Sequence, residues 1–358
     1  MKGAETVDRS TGRRESKTDV AVKVLVLAGG RSAERDVSLA SGAAVSRALA
    51  QAGGEVLTLD PGGLKRAVGW NDAASAQPIG AAPPAGAHAA PGAAALTPSD
   101  LSLDDLRAVD VVFIALHGGD GENGRLQALL DMARIPYTGS GMQACALAMD
   151  KHAAKRIFVA EGIPTPPWRI LSESDEYSFD EITDALGKPL IVKPNSQGSS
   201  VGMNRVETKS QWDKALTEAF RWDERVLVEE YIAGRELTVA VLGEEALPVV
   251  EIIPADGLYD YEHKYTSGQS EYVCPAQLSP AQIRALQEQG LEAFRALGCR
   301  GYARVDFRLS NDGHPYCLEV NTAPGMTATS LVPKAAKAAG IEFPELLQRI
   351  CRLAMGAL

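Results

Sequence analysis

Only Lys23 interrupts the apolar run from Ala21 to Leu27, which is too short for a helix and ends in the turn-forming Ala28-Gly29-Gly30-Arg31-Ser32-Ala33-Glu34. That pattern predicts a buried strand. A small-residue stretch from about Ser38 to Gln51 predicts a helix and Glu55 to Leu59 a second strand, so the chain opens with a βαβ unit. Val109 to Leu116 is another buried strand, broken by His117-Gly-Gly-Asp-Gly-Glu-Asn-Gly124 before a helix that runs through Ala133. These elements predict a parallel-sheet domain over residues 20–149. A second unit, 150–230, starts with a helix that Asp150 caps and Gly162 ends. It continues through the strand Leu190–Val192, a Gly/Ser-rich loop at 195–202 and the strand Arg225–Val228. The third, 231–358, carries strands near 237–242 and 246–252, a polar loop over 256–272, a helix at 279–297, a hairpin and a final helix at 343–355. The fold class is therefore α/β, with an α+β C-terminal part. Residues 1–19 read as a disordered tail, and 70–98, rich in Ala, Pro and Gly, as a flexible surface insertion. No internal repeat is visible.

The hairpin carries the strongest chemical signal. Asp312-Gly313 separates two short alternating runs, and as a two-residue loop it pairs Asp306 with Glu319 and Arg304 with Asn321. Strand side chains alternate faces, so these four share one side, while Val305, Phe307, Leu309, Tyr316, Leu318 and Val320 form an apolar other side. Facing carboxylates repel unless something positive lies between them. A hard divalent cation taking oxygens from Asp, Glu and Asn, with phosphate completing its shell, suits that position. The exposed polar face of an ordinary hairpin is the competing reading, and a three-residue loop would change the pairing.

Lys193-Pro-Asn-Ser-Gln-Gly198-Ser199-Ser200-Val-Gly202 follows an apolar strand and sets a lysine beside backbone N–H groups able to wrap phosphate oxygens. It is not a Walker A loop, because the lysine precedes the glycines; a plain turn between strands is the alternative. Lys151 adds a cation at the start of the 150–162 helix. Glu229-Glu230-Tyr231-Ile232 runs from strand into linker, where backbone groups can meet an adenine edge and Glu236 ribose hydroxyls. No G-x-G-x-x-G follows the first strand, which weakens a dehydrogenase reading.

At 358 residues the chain is too long for one core, and 45% hydrophobic with 23% charged residues is the balance of a globular protein. A net charge of −10 argues against nucleic acid or anionic membrane as partner, but leaves room for a small anion held by a few lysines. No apolar run has the length of a membrane span, and the polar N-terminal stretch lacks the core of a signal peptide. Cys145, Cys274, Cys299, Cys317 and Cys351 form no C-x-x-C pair and read as buried free thiols of a reducing cytoplasm.

Lys151, Lys193 with Ser199-Ser200-Val-Gly, Glu229 to Glu236, Arg304-x-Asp306 and Glu319-x-Asn321 occur in the order of the ATP-grasp enzymes. Gly29-Gly-x-Ser-x-Glu34-Arg-x-Val-Ser-Leu, Leu116-His117-Gly, Pro136-Tyr-Thr-Gly-Ser-Gly141, Val192-Lys-Pro and Asn321-Thr-x-Pro-Gly-Met-Thr327 closely resemble the D-alanine–D-alanine ligase family. The likeness runs from about Val22 to Leu353, sparing the tail and the insertion. It implies a three-domain ATP-grasp architecture with a Rossmann-like N-terminal domain. It also implies joining of two D-alanines through a D-alanyl phosphate, with ATP and two Mg²⁺ ions (Mn²⁺ as a substitute), for cell-wall precursors.

By that resemblance Lys151, Lys193 and Lys264 contact phosphates, along with Ser199 and Ser200. Glu229, Glu230, Tyr231, Ile232 and Glu236 take the nucleoside, and Asp306, Glu319 and Asn321 the metal ions. Arg304 and the N–H of Gly325 match oxyanion stabilisers. Glu34 matches the residue that binds the first substrate's ammonium group, with Ser199 and Tyr265 bonding to it and closing the lid. A helix-terminal acid favoured by the dipole is the alternative for Glu34. Ser330 and Leu331 open a helix whose N–H groups would take the second substrate's carboxylate, with simple capping by Ser330 as the alternative. His117 would lie near the substrate, or serve as a structural hydrogen-bonder. Glu230 departs from the pattern, since many relatives carry lysine there. The resemblance further implies a cytoplasmic homodimer. Rival readings are a ligase using D-lactate or D-serine, against which Tyr265 speaks, and a non-catalytic nucleotide-binding relative.

Overall fold

A computed structural model describes residues 22–62, 65–67, 100–175, 177–255 and 269–356. The expected tail at 1–19, the 70–98 insertion, and Lys264 and Tyr265 in the expected 256–272 loop lie outside the described residues. Three sheets organise the rest.

The first contains β1 (Lys23–Leu27), β2 (Glu55–Asp60), β3 (Lys65–Ala67) and β4 (Val111–Ile114), in the order β3-β2-β1-β4. β2, β1 and β4 are parallel, and β3 is an antiparallel edge. Val24 to Leu27 and all of β4 are buried, which is why both read as unbroken apolar runs. Helix α1 (Arg35–Gln51) crosses from β1 to β2. A Cβ on Gly42 would stand 2.3 Å from the Ala28 Cβ, so the small residues of α1 let it lie directly on the sheet. Helices α2 (Leu103–Arg107), α3 (Arg125–Ala133) and α4 (Met142–Met149) complete this part.

The second sheet is antiparallel, with β5 (Trp168–Ser172), β6 (Leu190–Pro194), β7 (Asn204–Val206) and β8 (Arg225–Glu230) in the order β5-β8-β6-β7. Helix α5 (Lys151–Ala160) leads into it, capped as expected by Asp150, whose carboxylate accepts from the Ala153 amide. Helices α6 (Phe179–Leu186) and α7 (Lys209–Phe220) bury Phe179 and Trp212 against the sheet.

The third sheet is also antiparallel: β9 (Gly234–Leu242), β10 (Glu245–Ala246), β11 (Val250–Pro254), β12 (Ser270–Val273), β13 (Tyr302–Ser310) and β14 (Pro315–Asn321), with the order β12-β11-β9-β13-β14 and β10 on β9. The strand expected at 246–252 is thus two strands. Helix α8 (Pro280–Ala296) covers one face. Helices α9 (Leu331–Ala338) and α10 (Phe343–Met355) cover the other. Their apolar sides also meet Val24, Val26 and Val45, so the first and third sheets share one core.

The β13–β14 hairpin corrects one expectation and keeps its consequence. Gly313 N–H donates to Ser310 O and Ser310 N–H to His314 O, closing a three-residue loop with Gly313 at φ +88°. The strands therefore start one residue out of the expected register, with Phe307 opposite Cys317. A bulge at Leu318 inserts one residue and restores Asp306 opposite Glu319 and Arg304 opposite Asn321. Below the bulge the faces are exchanged: Cys317 is buried, while Tyr316 and Leu318 are only partly so. Val305, Phe307, Leu309 and Val320 form the apolar side as expected.

All five cysteines are free; Cys145, Cys317 and Cys351 are buried, and Cys274 and Cys299 only partly. Among the described residues, no helix is long and apolar enough to cross a membrane.

Candidate active site

A cleft lies between the second and third sheets. Lys151, Lys193, Ser200, Glu229, Glu230, Tyr231, Ile232, Glu236, Asp306 and Glu319 all line it. Residues separated by more than 160 positions are thereby brought to one place.

Its inner wall is an ionic triad. Lys193 on β6 donates to Glu229 Oε1 on β8 at 2.5 Å. Lys155 on α5, with no exposed surface, stands 2.9 Å from the other carboxylate oxygen, an ion pair without an aligned hydrogen bond. Lys155 also donates to Thr165 Oγ1 at 2.6 Å and Pro166 O at 2.9 Å. Burial pushes the Glu229 carboxyl up, but the two ammonium groups outweigh it and hold the group below its ordinary range. Burial lowers the Lys155 pKa, and Glu229 offsets this only in part. For Lys193, burial is overcome by Glu229, Glu319 and Glu236, so its pKa rises and its charge is secured at the cleft. Lys155 was not among the expected site residues; its place one helical turn after Lys151 was the available signal.

The Gly/Ser-rich loop is fixed at its base. Asn195, fully buried, donates to Asp150 Oδ1 and accepts from the His152 amide, while Ser196 N–H donates to Asp223. Lys151 Nζ donates to Gln197 O at 2.7 Å and stands 3.3 Å from Glu319 Oε2. Ser199 and Ser200 follow in the left-handed region, at φ +49° and +56°. Two successive residues there are sterically costly, so the loop's shape is imposed by what surrounds it.

The hairpin supplies the acidic corner. Arg304 grips Asp306 with a two-point fork, Nε to Oδ1 and Nη2 to Oδ2, both 2.8 Å. Thr238 on β9 donates to Oδ1 at 2.7 Å and Asn321 to Oδ2 at 2.9 Å. The positive partner that facing acids require is thus present on each side, Arg304 for Asp306 and Lys151 for Glu319. Asp306, Glu319 and Asn321 offer only oxygen ligands, which suits Mg²⁺. Among the described residues no cluster of three or more His, Cys, Asp or Glu forms a full cage. A cation here would complete its shell with phosphate and water, as Mg²⁺ does in nucleotide sites.

A second corner joins the first sheet to the loop. Glu34 precedes α1 but makes no cap bond to it; its buried carboxylate accepts from the Ser199 hydroxyl. Gly198 and Gly118 close in on the same carboxylate, since a Cβ on either would come within 2.6 Å and 2.8 Å of Oε2. His117 is buried, with Nδ1 2.9 Å from Ala323 O and Nε2 2.8 Å from Ser41 Oγ. Ser41 Oγ in turn accepts from the Met326 amide. His117 therefore pins the 323–326 segment, which includes Gly325, to the end of β4. Burial pulls its pKa down, but Glu122 and then Glu34 more than offset this and leave it raised. Ser330 precedes α9, yet its hydroxyl caps nothing: Oγ accepts from the Thr327 amide at 3.1 Å. The simple capping reading of Ser330 is thereby corrected.

A family model described as D-ala D-ala ligase N-terminus matches residues 23–140, and one described as D-ala D-ala ligase C-terminus matches 157–352. The chain belongs to the D-alanine–D-alanine ligase family. It is 42% identical to the D-alanine–D-alanine ligase of Pelotomaculum thermopropionicum over 93% of this chain and 97% of that protein. With the ligase of Aromatoleum aromaticum the identity is 44%, over 90% and 93% of the two chains. The solved structure of the Bacillus anthracis D-alanine–D-alanine ligase complexed with ATP superposes with a TM-score of 0.75, at 31% identity over 94% of this chain and 98% of that one. A second structure of the Bacillus anthracis ligase gives a TM-score of 0.76 at 33% identity. The parallel first sheet and the two antiparallel sheets are those of an ATP-grasp D-alanine–D-alanine ligase.

Proposed function

We propose that this chain is an ATP-dependent ligase that joins two D-alanines into D-alanyl-D-alanine for peptidoglycan precursors. One observation carries the reading: the Arg304–Asp306 and Lys151–Glu319 pairs, the Lys193–Glu229 pair and the Glu34–Ser199 bond converge on one region of the fold. Carboxylate and ATP are both anions, and the lysines and Arg304 are the charges that let them approach.

In this reading Glu34 takes the ammonium group of the first D-alanine, and Ser199 holds Glu34 in place. Lys151 and Lys193, with Ser199 and Ser200 of the loop, take the ATP phosphates; Lys264 is proposed to join them. The N–H groups of Glu230 and Tyr231 already bond to Pro167 O and Pro189 O, so adenine is left to the Ile232 amide, and Glu236 takes the ribose hydroxyls. A carboxylate oxygen of the first D-alanine attacks the γ-phosphorus, the bond to the β–γ bridging oxygen breaks, and ADP leaves. The amine of the second D-alanine attacks the acyl carbon, loses a proton, and inorganic phosphate departs. Arg304 and the Gly325 N–H stabilise the oxyanion, and the N–H groups at Ser330–Leu331 hold the second carboxylate. Bound at Asp306, Glu319 and Asn321, Mg²⁺ (or Mn²⁺) would neutralise phosphate charge. Tyr265 is proposed to close over Glu34 and Ser199. We further place the reaction in the cytoplasm, in a homodimer, with residues 20–149, 150–230 and 231–358 as its three domains.

The test is phosphate release with ATP, Mg²⁺ and a panel of D-amino and D-hydroxy acids, with products identified by mass. Release with D-alanine alone, yielding the dipeptide, is expected. Exclusive depsipeptide formation with D-lactate would move the assignment to that acceptor, and no D-alanine-dependent release would favour a non-catalytic nucleotide-binding protein.

Gly198→Ala gives a sharper result. The added methyl must displace the Glu34 carboxylate it would otherwise meet at 2.6 Å. The KM for D-alanine is expected to rise by about tenfold or more while the KM for ATP changes little, since ångström misplacements cost up to ~100-fold. Unchanged kinetics for D-alanine would remove Glu34 from the substrate site.

A further inference from the structure

Arg308 on β13 is buried, yet it is among the residues that line the cleft. Its donors converge on one short segment. Nε donates to Ile232 O at 3.0 Å, and Nη2 to Gly234 O at 2.8 Å and to the Tyr231 hydroxyl at 3.2 Å. Nη1 reaches Glu236 Oε2 at 3.3 Å, from the position directly across the β13–β9 pairing. The plane also sits over the Tyr231 ring, 5.2 Å from its centre. Arg205 on β7 lies 4.7 Å from the same ring centre, so Tyr231 is held by cations from the second and third sheets.

We infer that Arg308 is a positioning residue for nucleotide recognition: it fixes the Tyr231–Glu236 segment and aims Glu236 at the ribose. The inference rests on reading this cleft as the nucleotide site. A planar fork is needed for the task, because carbonyl, hydroxyl and carboxylate acceptors must be met at fixed angles by one group; a lysine ammonium cannot reproduce that set. Charge points the same way. Among the described cleft-lining residues, Lys151 and Lys193 stand at the phosphate loop, whereas Arg308 is the cation at the 231–236 end. Position 230, beside this segment, is an acid. Glu236, without Arg308, would keep its place on β9 but lose the guanidinium that meets its carboxylate from the facing strand.

The experiment compares ATP with 2′-deoxy-ATP, by calorimetric binding and by KM, in the full-length wild-type protein and in Arg308→Met. The wild type is expected to favour ATP by about tenfold, the worth of one hydrogen bond to a charged group. In Arg308→Met that preference falls to about twofold or less and the KM for ATP rises about tenfold, with the KM for D-alanine and kcat changed by no more than about threefold. Should the methionine variant not fold, Arg308→Lys carries the same reading, with a partial loss of the ratio. Arg205→Met, which leaves Glu236 untouched, is expected to keep the ratio. A wild type indifferent to the 2′-hydroxyl, or variants at 308 that weaken both nucleotides equally, would overturn the inference and leave Arg308 a purely structural residue. Absence of D-alanine-dependent phosphate release would sink the ligase reading alone, because the calorimetric ratio needs no turnover.

Discussion

Asp306→Asn is expected to lower the D-alanine-dependent release of phosphate by about three orders of magnitude, with the fold retained. Charge stabilisation of several kcal/mol is at stake at such a corner, and each 1.4 kcal/mol is about tenfold in rate. Asparagine is the right replacement because of what surrounds Asp306. From the sequence, the residue faces Glu319 and its removal relieves repulsion, so alanine looks harmless. In the structure Asp306 accepts from Arg304, Thr238 and Asn321 together. Alanine would remove two hydrogen bonds from a mostly buried guanidinium and confuse lost stability with lost catalysis. Asparagine keeps the shape and an acceptor for Thr238 while halving the facing negative charge. Initial rates and a thermal melt on the same preparation separate the two effects; a rate within tenfold of wild type would exclude Asp306 from the metal corner.

The second large effect is on stability. Glu229→Gln is expected to cost about 3–5 kcal/mol in urea unfolding, the usual penalty for removing one member of a buried charge network. Lys155 is completely buried and Lys193 nearly so, and Glu229 is the carboxylate between them. The pH dependence has a definite sign. The folded-state pKa of Glu229 lies below its ordinary value, so its contribution is present above about pH 4.3 and is lost as pH falls through the folded-state value. The stability gap between wild type and variant is therefore expected to be widest near neutrality and to narrow in acid. A gap that stays constant from neutral to acid pH would show that Glu229 acts through packing and not through charge.

Much of the site was legible because its parts lie in short, locally determined elements. The parallel strands announced themselves as apolar runs, the 150–162 helix by its Asp150 cap, and the acidic corner by alternation along a hairpin. Other elements were missed for identifiable reasons. β5 and β7 are short and mixed in polarity, and α7 left its capping box, Thr208 with Gln211, as the one signal not used. The hairpin shows two errors that cancel: the loop is one residue longer than expected and β14 carries one extra residue at Leu318. Alternation registers only relative spacing within a strand, so a loop and a bulge that offset each other leave the far end of the pairing unchanged. Leu318, expected in the core, lines the cleft instead.

The order of lysines, acids and glycines along the chain, by itself, determined the family, the kind of chemistry and most of the residues that face the cleft. Those features are local in sequence, set by motif and period. Tertiary structure alone decided which charges neutralise which: Lys155 on Glu229 and Lys151 on Glu319. These pairs join different sheets and helices, and no pattern along one strand or helix records them. Burial then fixes their energetics, because a charge removed from water must find its partner in whatever part of the chain packs against it.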